Sequence, residues 1–313
     1  MSLVSDPSAA ASPLSATADR TASHPDTNGI SSAANRITVI DQKSPWAIFD
    51  LRDVWRYRDL LMALANRDVK LRYRQTALGF IWVLLQPLLG AGVVTILFSG
   101  LGGLSTGAIP PFVLSFAGMI GWTVFSQTVS KASNSLVGNS TLVSKVYFPR
   151  LALPFSTVFS TLLDLGVSIV VLAILMIATK TVPSPFCLLA VLWLVPLFLL
   201  GMGIGLFTGA LMVSYRDVNP IQTMVLQYAT YVVPAGYSLA QILEKMPKAA
   251  WFFEINPISH LLEGLRWSLF GSANGMATPS AWGVTYALIF TLLIFFFGMF
   301  SFGQMERKFA DVI

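Results

Sequence analysis

Of 313 residues, 55% are apolar and only 11% are charged, and the mean hydropathy is +0.69. A soluble domain carries about 25% charged residues, so this chain has too few ionic side chains to cover a watery surface and reads as an all-α integral membrane protein. The net charge of +5 does not point to nucleic acid, because Lys and Arg gather between apolar runs, where membrane topology places them.

Residues 1–45 read as a disordered tail. Between Met1 and Asn35, 22 residues are Ser, Ala, Thr or Pro, and no apolar stretch is long enough for a cleaved leader. From Asp50 to Arg74 seven basic and four acidic residues alternate with apolar ones. Leu51, Val54, Trp55, Leu61, Met62 and Ala65 recur at the spacing of one helical face, which predicts an amphipathic interface helix within 46–75.

Six apolar runs follow: Leu78 to Gly100, Phe112 to about Lys131, Leu151 to Thr179, Phe186 to Val213, about Pro220 to Leu239, and Trp282 to Gly303. A helix crosses the hydrocarbon core with about 20 such residues. Six crossings leave both ends on one side. From Lys43 onward that side carries 14 Lys and Arg against four on the other, so both termini are expected in the cytoplasm. The single cysteine, Cys187, excludes an intrachain disulfide.

Two connections carry structure of their own. Between the second and third runs, within 136–149, Asn139 can cap a short helix with Leu142, Val143, Val146 and Tyr147 on one face and a stop at Pro149. Such an apolar face on the cytoplasmic side needs cover, from a partner or from the protein's own spans. The connection 237–278 predicts two outer half-helices, YSLAQILEKM and NPISHLLEGLRWSLFG, each about half of a crossing. In the second, Asn256 caps, Pro257 takes the first helical position, Ile258, Leu261, Leu262, Leu265 and Leu269 form a face, and Gly271 ends the helix.

No GxxxxGK[ST] motif is present to hold ATP, and His24, Cys187 and His260 form no metal cluster in sequence. Gly201, Gly203, Gly205 and Gly209 lie inside the fourth run and predict close helix packing. Asp164 is the one carboxylate deep in a span. It is expected to bond a Ser, Thr or Tyr of a neighbouring span, the alternative being a proton relay.

Four segments together resemble the membrane permease of bacterial ABC exporters for O-antigen, capsule and teichoic-acid polymers. They are RDVKLRYRQTALGFIWVLLQPLL at 67–89, FAGMIGWTVFSQTVSKASNSLVGNSTLVSKVYFPRLALPFSTV at 116–158, SYRDVNP at 214–220 and NPISHLLEGLRWSLFG at 256–271. The resemblance runs from about Trp46 to the C-terminus. It implies a multi-pass inner-membrane homodimer joined to two ATPase subunits that hold ATP and Mg, so this chain is no enzyme and carries no cofactor itself. Its cargo would be a glycan on a polyprenyl diphosphate.

On that resemblance Asn139, Leu142, Val143, Lys145, Val146 and Tyr147 would couple to the ATPase. Asn256, His260, Leu261, Leu265 and Trp267 would belong to an outer gate. Trp82, Trp122, Phe125, Tyr228, Tyr231 and Tyr237 are candidates to line a glycan channel, although aromatics at span ends also serve as belt residues. Arg67, Lys70, Arg72 and Arg74 are candidates to meet a diphosphate or anionic headgroups at the inner leaflet. Two other readings stay open: a permease of the same architecture for a drug, peptide or small lipid, and an ion-coupled carrier or membrane enzyme.

Overall fold

The structure is a computed structural model. It describes residues 57–74, 79–103, 107–145, 148–237, 247–248 and 250–306, all within the unit Lys43–Ile313. The serine-rich segment 1–45, Val146, Tyr147, most of the first outer half-helix and the side chains of Arg72, Arg74, Trp82 and Lys145 lie outside the described residues. Among the described residues every regular element is helical.

In chain order these are α1 (Arg58–Arg74), α2 (Gly79–Thr95, continued by a π-helical turn Ile96–Leu101), α3 (Pro111–Val137), α4 (Ser140–Lys145) and α5 (Ala152–Ala178). Then come α6 (Ala190–Ser214), α7 (Val218–Val232), α8 (Ala250–Ile255), α9 (Pro257–Phe270) and α10 (Ala281–Glu306). Five stretches have the length and apolar composition to cross a membrane: Leu84–Leu101, Pro111–Val137, Ala152–Ala178, Cys187–Ser214 and Ala281–Met305. Their outward faces carry Val170, Ile174, Leu192, Leu293 and Phe297 in the open, a surface suited to lipid and not to water.

α3 is the axis of the bundle. It packs on α2, α5, α6, α7 and α9, and 78% of its membrane-length window is buried. The glycine series of α6 makes this possible. A Cβ at Gly201 would stand 2.9 Å from Phe125 O of α3, and one at Gly205 2.7 Å from Ala132 Cβ. On the opposite side Gly203 faces Gly298 of α10, where an added Cβ would lie 2.0 Å from Gly203 O. The close packing expected of this series is therefore present, turned alternately to α3 and α10.

α3 also runs past the expected end of its apolar run, from Lys131 to Val137. Its last turns are polar, and their side chains bond back to the helix: Ser133 Oγ and Asn134 Nδ2 donate to Ser130 O, and Ser135 Oγ to Ala132 O. Lys131, expected between spans, thus lies inside a helix. On α1 the packing face is Leu60, Leu61, Leu64 and Ala65, set against a core shared with α5, while Met62, expected on that face, is 50% exposed.

The fifth expected crossing yields only the 15 residues of α7, about 22 Å of helix against a core of about 30 Å. Pro234 ends it. A residue before proline is driven out of the helical region, and Val233 has φ −72° and ψ 135°. The chain then continues without helix through Val233–Tyr237, wholly buried, across α3. Non-helical backbone at such depth survives only where protein satisfies its polar groups. Ser115 Oγ donates to Gly236 O at 3.3 Å, and the Arg266 guanidinium donates to Tyr237 O at 2.6 Å.

Candidate functional site

At one end of the bundle α4 joins α3 to α5. Asn139 opens this turn with its carbonyl, which accepts from Leu142 N at 2.9 Å and Val143 N at 3.0 Å. Its side chain turns elsewhere: Nδ2 donates to Ser135 O at 2.8 Å, and Oδ1 accepts from Arg67 of α1. Arg67 is also held by Asp68 at 2.9 Å. Leu142 and Val143 are half-buried and pack on the core shared by α1, α5 and α6, so this part of the apolar face is covered by the protein's own helices. Ser140 and Thr141 are exposed at the start of α4, and Lys70 of the basic run is exposed on α1.

At the other end α9 is set into the bundle. Its local signals act as the sequence implied: Asn256 Oδ1 accepts from Ile258 N at 3.1 Å, Pro257 occupies the first turn, and Gly271 leaves the helix at φ +72°. Ile258, Leu261, Leu262 and Leu265 are buried against α3 and α6. Trp193 Nε1 of α6 donates to Ser268 Oγ at 2.7 Å. His260 is buried with Nε2 2.8 Å from Glu254 O and its ring edge-on to Tyr286. Trp267 faces outward, stacked on Phe186 with ring centroids 5.7 Å apart.

The five aromatic candidates whose side chains are described do not converge. Trp122 and Phe125 are buried beside each other, and Trp122 Nε1 donates to Thr230 Oγ1 of α7 at 2.9 Å. Tyr237 is buried 4.3 Å from the ring of Phe98, with its hydroxyl donating to Val232 O. Tyr228 and Tyr231 stand on the open face of α7 with Ile221, Met224 and Val225.

The sequence reading missed the partner of one buried charge and the burial of another. Asp164, 3% exposed, pairs with a lysine of a neighbouring span: Lys131 Nζ lies 2.9 Å from its Oδ2 and 3.2 Å from Thr161 Oγ1. Arg266, assigned by sequence to an outer segment, is 2% exposed; it holds the break after α7, and its Nη2 finds no protein partner among the described residues. Arg266 and Glu263, one turn earlier, border a small cavity with Leu114, Met276 and Ala277. A cation within an apolar half-helix was the available signal for Arg266. For the break it was Pro234.

The chain is a bundle of apolar helices, five stretches of which have the length to cross a membrane, with a short helix joining α3 to α5. Residues 59–270 match the ABC-2 type transporter family, and the chain belongs to it as a multi-pass membrane permease. Among similar proteins are two O-antigen export system permease proteins RfbA of Klebsiella pneumoniae. One is 25% identical over 263 residues, covering 82% of this chain and 95% of the relative, and the other is 26% identical over 261 residues with the same coverage. The O-antigen export system permease protein RfbA of Myxococcus xanthus is 27% identical over 212 residues, 68% of this chain and 80% of the relative.

Proposed function

We propose that this protein is the permease subunit of an ATP-driven exporter that carries O-antigen, assembled on a polyprenyl diphosphate, across the bacterial inner membrane. The observation that carries the cargo is the similarity, over 95% of their length, to permeases named for O-antigen export. In this reading α7 and the Val233–Tyr237 break together make the fifth of six crossings, and both termini are cytoplasmic, as the distribution of Lys and Arg favours. A second copy of the chain covers the open apolar face of α7, and Tyr228 and Tyr231 then face the glycan path.

Two copies of a separate ATPase supply the energy. They engage α4 through Ser140, Thr141 and the Lys145 to Tyr147 end, while Leu142 and Val143 pack inward. ATP-driven closure reaches the spans only through a contact that differs between two states, and α4 is the short rigid link between α3 and α5. α9 is the outer gate, a half-helix inserted from the exit side, and Lys70 with Arg72 and Arg74 attracts the diphosphate or headgroups at the inner leaflet.

The test is deletion of the gene with complementation. Long-chain surface polysaccharide should vanish while lipid-linked glycan accumulates inside, and the tagged permease should copurify with an ATPase. Unchanged surface polymer in the deletion strain would remove the glycan cargo and favour a smaller one.

A further inference from the structure

α3, α4 and α5 are consecutive, and α4 hangs between the inner ends of the two spans. Lys131 lies six residues before the end of α3 and Asp164 twelve residues past the start of α5, so the ion pair sits roughly 9–18 Å up the hairpin from its turn. It is set in a polar seam. Thr123 and Gln127 of α3 face Thr161, Asp164 and Ser168 of α5 across a narrow cavity. The Lys131 ammonium closes that seam toward the turn with its bonds to Asp164 and Thr161.

Apolar ridges between helices slide past one another at small cost, as in shear motions. A buried ion pair does not slide: pulling its charges apart leaves both uncompensated in a low dielectric. Folding alone does not demand such a pair, since apolar residues of like volume commonly replace one without loss of stability. What the pair adds is a fixed register between α3 and α5. A further tie lies at the turn itself, where Arg67 of α1 holds Asn139 and Asn139 holds Ser135 O of α3.

We propose that Lys131 and Asp164 are positioning residues for energy coupling. They staple α3 to α5, so that a push on α4 turns both spans as one body instead of shearing one along the other. The proposal rests on the reading of α4 as the contact with the ATPase.

The experiment uses the full permease with its ATPase in nanodiscs for assembly, melting and ATP hydrolysis, and the complemented deletion strain for export. Lys131→Met with Asp164→Leu removes the staple without leaving a lone charge. The double variant should assemble, melt near the wild type and hydrolyse ATP within about twofold, yet export about tenfold less polymer per ATP. Lys131→Arg keeps the pair and should export within about twofold of wild type.

Wild-type export by an assembled double variant would overturn the proposal, leaving the pair a purely folding role. Should the double variant fail to assemble, the charge-reversed Lys131→Asp with Asp164→Lys decides. Recovered export supports the staple, whereas an assembled but uncoupled reversal, or failure of both variants to assemble, overturns it. Wild-type permease that never copurifies with an ATPase would sink the coupling reading of α4 instead, a result distinct from any of these.

Discussion

The carbonyl oxygen of Ala235 rests on the α-carbon side of Gly118: a Cβ added at Gly118 would stand 1.7 Å from it. The contact is backbone against backbone, so no side chain can swing aside. Gly118→Ala should therefore destabilise the purified permease by about 1–3 kcal/mol, read as a lower melting temperature in detergent. Gly166→Ala in α5, where nothing lies within 4 Å, should be neutral or stabilise by up to about 1 kcal/mol. Equal melting of the two variants would mean that the Val233–Tyr237 crossing does not press on α3.

Arg266 satisfies the Tyr237 carbonyl at the C-terminal end of that segment. Arg266→Met keeps much of the apolar stem but leaves the carbonyl buried and unpaired, at a cost of about 1–3 kcal/mol. Limited proteolysis should then cut near Val233–Tyr237 sooner than in the wild type, and wild-type melting of this variant would refute the role.

Asn256 caps a helix buried along most of its length, so its first turn has little access to water. Asn256→Ala should cost about 1 kcal/mol and Asn256→Ser only a few tenths. Thermal unfolding of the two variants side by side checks the order, and serine melting as low as alanine would count against the cap.

Arg67 and Asn139 bind α1 to the α4 turn. The Arg67 side chain is 41% exposed, so solvent screens the contact. A double-mutant cycle with Arg67→Ala and Asn139→Ala should give a coupling of about 0.5–1 kcal/mol. Strict additivity would show that α1 and α4 are held only by apolar packing.

What could be read from the sequence follows from how local each determinant is. The long spans α3, α5, α6 and α10 announce themselves by apolar length, and α9 by three adjacent signals, Asn256, Pro257 and Gly271. Pro234 was an equally local stop signal for α7, masked by the apolar residues around it. The Lys131–Asp164 pair was not legible, because the residues lie 33 apart on different helices and only the packing of α3 on α5 brings them together. Nor was the fate of the five described aromatic candidates. Residue type predicts affinity for an interface but not which side of a helix meets a neighbour, so Trp122 and Tyr237 went to the core and Tyr228 to the open face.

α3, of 27 residues, measures about 40 Å, more than the oily slab is deep, yet it is sheathed by other helices along most of that length. Bilayer thickness therefore acts on the peripheral α5, α6 and α10, which answer by tilting, while the axial helix stays insulated. Thin and thick lipids should change the lean of the rim before they disturb the axle.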